Sequence, residues 1–441
     1  MPKGLRKIQI SFDGTGFTRF GGLLLFQQFC KSLGLRYFLQ HKVSWKIVHG
    51  NTVYHPVDLF LTHLFAIVAG IGRIENTKSL VSNGLLPSLL GLPDFPHRDT
   101  LRSFLWKIAP DTLEDIRSAH DKLRQYIFQK LGPIYSSIID IDTTALTVYG
   151  HQESSDIGYN PQHRGKPSYC PILSTEGLLG LTLNFRLRPG NVYPGSDAVM
   201  FLSSSLDKLP GTVASTRTRI RADASFYNKE FINYLDDNRL GYAIVARVTK
   251  PLKNVLSGIR YYPFQRNWDV GEFFYQPCLW KTKHRFIGIR RLVEEDDSPA
   301  VLVNVEGFTY RSLVTNLEMN PLAVWRFYCK RALQELLIRE LKDSYALAKI
   351  PTRSFLANQV YLEIVLWAYD LIMAFKYLCL PKEYQNWTMA ILRRNLWVLP
   401  AELVRPMNYN RVRLPVQFPY QDVFQYARQA VARVKPLIQN R

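Results

Sequence analysis

The sequence predicts a mixed α/β protein: a mostly helical amino-terminal part, then an α/β core interrupted by an all-β segment. Three observations carry that reading. Residues 1–130 hold several helix-length stretches split by Gly and Pro, and residues 131–248 alternate β-branched runs with helical ones. Residues 249–318 then lose the helical period, before a helix starts sharply at Asn320–Pro321.

The elements follow in order. Residues 7–12 alternate as a short strand, and "GGLLLFQQFCKSLGL" reads as a helix ending at a glycine. "HRDTLRSFLWKI" (97–108) and "DTLEDIRSAHDKLRQYIFQKLG" (111–132) read as helices, the second with Asp111 or Thr112 as its cap. The segment around Thr100 has the form of a DNA recognition helix, although an ordinary amphipathic helix is the simpler reading. Strands are expected at 134–149, as a hairpin at 171–188, at 217–222 and at 241–248, with helices at 194–209 and 226–237 between them. Residues 249–318 read as a β insertion with runs such as "EFFYQPCLW" and "RFIGIRRLV". Asn320 then caps a helix that has Pro321 at its first position, where the missing N–H costs nothing. A buried helix at 355–380 and a Pro-punctuated basic tail follow. The expected domains are 1–130, a core of 131–248 with 319–380, the insertion 249–318, and a basic region 381–441.

Charge is the strongest bulk signal. The 441 residues carry 56 Lys and Arg against 36 Asp and Glu, a net +20, which draws the chain toward polyanions. Residues 1–50 hold eight cations against one acid and residues 391–441 nine against two, so fourteen of the twenty surplus charges lie at the two ends. Five scattered cysteines with no C-x-x-C argue against a disulfide framework or a zinc site and suit a reducing cytosol. The amino terminus lacks the apolar core of a signal peptide, and Glu363, Asp370 and Lys376 interrupt the most hydrophobic stretch. A cytoplasmic, nucleic-acid-binding protein with no membrane span is expected.

Residues 138–150, "IIDIDTTALTVYG", place Asp140 and Asp142 on one face of an apolar strand. Two carboxylates there are costly unless a cation holds them or the strand end is open to water. Asp223, in "TRIRADASFYNKEF", occupies a matching position after one strand and before a helix. Taken alone it reads as a helix-capping or loop aspartate. The third element is Tyr328, Arg331, Glu335 and Lys342, spaced Y-x2-R-x3-E-x6-K. They lie on the helix expected over 322–343, where their spacing makes all four project from one side. Arg331 and Glu335 also make an i,i+4 pair, worth roughly 0.2–0.5 kcal/mol, but in the less favourable order, cation before anion.

These pieces, together with "FDGTGFTRFGGLLL", "DIDTTALTVYGHQ", "IGYNPQHRGKPSYCPILS", "RLRPGNVYPG", "IRADASF" and "LRRNLWVLPAELVR", resemble bacterial insertion-sequence transposases of the DDE class. The match is to the insertion sequence four superfamily with its YREK signature, and within it to the insertion sequence thirteen-eighty branch. It covers nearly the whole chain. One departure is "RADASF", where the family more often has glycine or an acid soon after the aspartate.

The resemblance implies a ribonuclease-H-like core in which Asp142, Asp223 and Glu335 are catalytic and bind two divalent ions. Asp142 is preferred to Asp140 because the family's first acid stands directly before a Thr-Thr or Ser-Thr pair, and Asp140 stays a candidate neighbour or alternative ligand. Oxygen ligands without a Cys/His set favour Mg²⁺ or Mn²⁺. The resemblance further implies duplex DNA as partner, hydrolysis at the terminal inverted repeats, joining of the 3′-hydroxyls to target DNA, a homodimer that synapses two ends, and association with the nucleoid. Tyr328, Arg331 and Lys342 would contact phosphates, and Trp268 or Trp280 would hold a flipped base; core packing explains each tryptophan more simply. The rival readings are a nuclease of the same fold without strand transfer, an inert DNA-binding descendant, and a glycoside hydrolase, which the charge disfavours.

Overall fold

The structure is a computed structural model and describes residues 16–46, 54–81, 87, 95–293, 307–404 and 411–438. The strand expected over 7–12 lies outside them. The chain divides into two compact units, one of residues 1–119, 341–352 and 356–441, the other of residues 120–340 and 353–355.

The first unit is mainly helical, with one small antiparallel sheet of Phe17–Thr18, Ala401–Val404 and Arg411–Arg413. Helices Leu23–Ser32 and Leu35–Lys42 are separated at Gly34, whose φ of +64° makes the left-handed turn that ends the first and starts the second. Helix Pro56–Val68 starts on His55, whose ring nitrogen accepts from the Val57 N–H, and is buried along nearly its whole length. Helix Phe355–Cys379 is likewise buried on almost every face. Phe26, Phe29, Phe375 and Trp397 join these pieces, with ring centroids 5.2–6.3 Å apart. Among the described residues no helix is long and apolar enough to cross a membrane. The helix expected from Asp111 runs over Pro110–Leu131. Thr112 does not cap it but ties down the preceding segment, donating to Ser44 O at 2.9 Å and accepting from Lys46 N at 3.2 Å.

The second unit is built on a nine-stranded mixed sheet. Its chain supplies β1 (Ser137–Thr143), β2 (Leu146–Thr147), β3 (Asp156–Ile157), β4 (Pro167–Tyr169), β5 (Ile172–Glu176), β6 (Leu181–Arg186), β7 (Thr218–Ala222), β8 (Gly241–Ala246), β9 (Tyr262–Gln265), β10 (Trp268–Tyr275), β11 (His284–Leu292) and β12 (Phe308–Thr315). The large sheet runs β9-β10-β11-β12-β8-β7-β1-β5-β6, and β2-β4-β3 form a small separate one. β1, β7 and β8 are parallel neighbours and every other pairing is antiparallel. Helices α1 (Ala198–Leu206) and α2 (Lys229–Asp237) come before β7 and β8, where the sequence pattern expects them.

Three expectations need correction. Residues 249–318 are not all-β, because α3 (Lys250–Gly258) forms there, burying Leu252 and Leu256; its nine residues are too short a run for the helical period to stand out. Nor are they a separate body. β12 pairs with β8 from Ser312↔Ala246 to Thr315↔Ala243, so β9–β12 continue the central sheet. The alternation of a strand identifies its buried face but not its neighbour. Thirdly, the buried helix 355–380 groups from residue 356 with the amino-terminal helices rather than with the sheet, and the first boundary falls at 119/120 rather than 130/131.

Asp140 and Arg221 stand opposite each other on the parallel strands β1 and β7 and form a bidentate pair, with both N–O distances 2.6 Å and exposures of 2% and 1%. Arg221 also donates to Phe327 O at 3.0 Å. Asp140→Ala would leave that guanidinium buried and without its counter-charge, at an expected cost of about 3–5 kcal/mol, read as a lower urea midpoint. The double variant Asp140→Ala, Arg221→Met should recover most of the loss. Equal losses in the single and double variants would show that charge is not the cause.

Candidate active site

The parallel register brings the ends of β1 and β7 side by side. Asp142 is the last acid of β1, one residue past the last paired position, Ile141↔Ala222, and Asp223 directly follows β7. Both acids are therefore delivered to the same end of the sheet by local strand geometry. Asp142 is 7% exposed, and its Oδ1 accepts the Thr143 N–H at 2.8 Å. Asp223 opens a short 3-10 turn, Ala224–Phe226, by accepting the Ser225 N–H at 2.9 Å, so the helix-cap reading of this residue holds alongside any other role.

The third acid arrives from the chain beyond β12. Asn320 caps α4 (Pro321–Cys329) by accepting the Ala323 N–H at 2.8 Å, as the sequence suggests. The helix does not continue unbroken to Lys342. It ends at Cys329, and α5 (Ala332–Ser344) starts after a tightened turn whose bonds run Arg331 N→Tyr328 O, Leu333 N→Lys330 O and Gln334 N→Arg331 O. The one-sided helical projection of Tyr328, Arg331, Glu335 and Lys342 therefore does not apply. No Gly or Pro marks the break. It lies where Arg331 turns inward, to 6% exposure, to meet Asp142.

Arg331 is the hub of the site. One amino group lies 2.8 Å from Asp142 Oδ2 and the other 2.8 Å from Glu335 Oε1, while Nε is buried with no partner. Asp142 is nearly buried and Glu335 largely open to solvent. Burial opposes the Arg331 charge, but Asp142, Tyr328, Asp223 and Glu335 outweigh it and hold the guanidinium pKa above its ordinary value. Asp142 moves the other way from a simple ion-paired carboxylate. Burial pushes its pKa up to about 6, Asp223 and Glu335 add to the rise, and Arg331 and the Thr143 N–H only partly offset it. The two shifts agree once the charges are counted, because one cation faces three carboxylates.

The structure thus gathers Asp142, Asp223, Arg331 and Glu335 with Tyr328, whose phenol burial raises to about 12. Lys342 lies further along α5 and is half-buried. Trp268 packs on the apolar cluster of Ile287, Leu313, Val324 and Phe327, with Arg291 5.7 Å from its ring. Trp280 packs on Tyr227 at 5.3 Å and on His284 at 5.0 Å, so both tryptophans are engaged in packing. The sequence reading assigned Arg331 to a phosphate and missed its bond to Asp142. It also missed Arg221, whose partner is visible only once β1 and β7 are known to be parallel and in register. Trp325, stacked 6.2 Å from Tyr328, was missed as well; its position three residues before Tyr328 on a helix was the available signal.

Among the described residues no group of three or more His, Cys, Asp and Glu is disposed to hold a metal ion. The donor chemistry nevertheless fits a hard cation. The acids are carboxylates with no thiol or imidazole among them, and two already share a positive group, the Arg331 guanidinium.

A family model described as transposase DDE domain group 1 matches residues 1–436. No curated protein matches the chain. Among solved structures, a cryo-EM structure of the piggyBac transposase synaptic complex with hairpin DNA is similar over 86% of this chain and 81% of that one, at 14% identity and a TM-score of 0.48.

The charge balance gives a direct check. With aspartate carboxyl carbons labelled and Asp142→Asn used for assignment, Asp142 in metal-free protein should titrate near 6. Glu335→Gln should lower that value by removing a negative neighbour, and Arg331→Gln should raise it. A carboxyl that titrates in the ordinary range and ignores both changes would contradict the arrangement.

Proposed function

The chain belongs to the transposase DDE domain family, and from that premise we propose that it is a cut-and-paste DNA transposase of the YREK-bearing insertion sequence four type, with Asp142, Asp223 and Glu335 as its catalytic acids. The observation that carries the proposal is the convergence of acids from three separate elements on one buried cation, with Asp142 and Glu335 each 2.8 Å from Arg331 and the charge of Asp223 acting on Asp142. The parallel β1, β7 and β8 flanked by the β5–β6 hairpin support a ribonuclease-H-like core.

Asp142, Asp223 and Glu335 are the residues that would hold two Mg²⁺ or Mn²⁺ ions. When bound, such ions polarise the scissile phosphate and supply a nucleophile at neutral pH. The chain's own groups do the rest. Arg331 pairs with Asp142 and Glu335 in the metal-free protein, and its release from them frees a planar fork suited to a phosphate. Tyr328 contacts a phosphate beside the cleaved bond, and Lys342 acts as a point charge further along the DNA. Trp268 and Trp280 are the candidates to hold an unstacked base, at the cost of the packing each makes in this structure. Both basic chain ends fall in the residue ranges of the helical unit, which supports a DNA-recognition role for it. A dimer that brings two element ends together completes the reading.

Full-length protein with a duplex drawn from the DNA flanking its gene should nick at the element end only with Mg²⁺ or Mn²⁺ present, and should join pre-cleaved ends to a plasmid. Asp142→Asn, Asp223→Asn and Glu335→Gln should each cost on the order of 10²–10⁴ in rate, several kcal/mol of transition-state stabilisation. Cutting without joining would reduce the assignment to a nuclease. Unchanged activity in Glu335→Gln would remove it.

A further inference from the structure

One sequence motif has no role in the site described above. "IGYNPQHRGKPSY" (157–169) forms an exposed loop between β3 and β4, in which Tyr159 and every residue from Pro161 to Lys166 are exposed. Tyr159 is 69% exposed, and among the described residues Arg164 and Lys166 make no ion pair. Asp156, at the base of the loop opposite Ser168, is exposed and, among the described residues, forms no ion pair with either cation. Between Ile157 and Ser196 the only acid is Glu176, which is 1% exposed and spent on the N–H groups of Ile138, Leu178 and Leu179 and on the Ser137 hydroxyl.

The loop is built rather than loose. Asn160, only 4% exposed, anchors it from beneath by donating to Thr147 Oγ1 at 2.9 Å and accepting the His163 N–H at 3.1 Å. It is also bolted to the turn that carries Asp223. A Cβ on Gly190 would lie 2.0 Å from Ser168 O and 2.3 Å from Asp156 O, and a Cβ on Gly195 would lie 2.0 Å from Ser225 O. The segment 190–195 therefore touches the base of the loop at one end and the residue two beyond Asp223 at the other. From that segment Tyr193 reaches out, half-exposed, under the Arg247 guanidinium at 5.4 Å, and Arg247 itself donates to Ala224 O at 3.2 Å.

Unpaired cations, exposed tyrosines and a rigid connection to a catalytic turn suit a polyanion that carries flat bases. We infer that the loop 159–166, with Tyr193 and Arg247, is a DNA-binding surface that grips the backbone of the strand whose phosphate lies at Asp223. Arg164 and Lys166 meet its phosphates, and Tyr159 packs on a sugar or base. The inference rests on the transposase reading and deepens it: the same packed segment that supports the turn of Asp223 also sets the path of the substrate strand.

The test is the salt dependence of binding, in EDTA, of full-length protein to a fluorescent duplex of about 40 base pairs taken from the DNA flanking its gene. Each phosphate contact adds close to one unit to the slope of log K against log salt, so Arg164→Ala with Lys166→Ala should lower the slope by about two. Arg239→Ala with Lys253→Ala removes the same charge away from the loop and should leave it unchanged. An unaltered slope in the loop variant, or an equal fall in both, would overturn the inference. Metal-dependent cutting by a protein whose slope ignores the loop would defeat this surface and spare the transposase reading. A loop-dependent slope in a protein that never cuts DNA would do the reverse.

Discussion

The second unit is organised around the bond between the Arg331 guanidinium and Asp142. A carboxylate buried at the end of a strand, beside two further acids, is unfavourable in the absence of a positive charge. Arg331 supplies that charge from a helical segment nearly two hundred residues away in the chain, and to reach it the helix breaks after Cys329. The break has a second effect: α5 starts afresh at Ala332, and its first turn carries Glu335 to the other amino group of the same arginine. A single interaction thus sets the helix boundary, the site's composition and its charge.

Much of this unit was legible from pattern. β-branched alternation gave β1, the β5–β6 hairpin, β7 and β8, and the Asn-Pro start of α4 is a cap whose hydrogen bond is present. What stayed hidden depends on pairings between distant segments. The strands after α3 look like a domain of their own because their alternation is strong, yet whether they close on themselves or extend another sheet is decided by the open edge of β8, which no local pattern reveals. The helix break is invisible for the same reason, since residues 326–334 contain no Gly or Pro to mark it.

Candidate residues were easier to name than to place. Asp142, Asp223 and Glu335 are the acids that the resemblance implies, and the structure brings their charges within mutual influence. The functions of the surrounding cations were harder to read. An arginine four residues before a glutamate suggests a surface pair, whereas this one is buried and shared. Trp268 and Trp280, base-holding candidates only through the resemblance, are engaged with neighbours, in keeping with the simpler packing reading of each.

The Asp140–Arg221 pair has a consequence for how the strands find their alignment. Asp140 and Asp142 face the same way, so sliding β1 by two residues along β7 would keep every apolar side chain on its proper face and would exchange one acid for the other. Hydrophobic patterning is blind to that error. The forked bond to Arg221 is not, because the slipped chain would strand an unsolvated Asp140 away from its only bidentate partner. Asp140, held by Arg221, thereby serves as an index mark, deciding which of two look-alike carboxylates stands at the end of β1 beside Asp223.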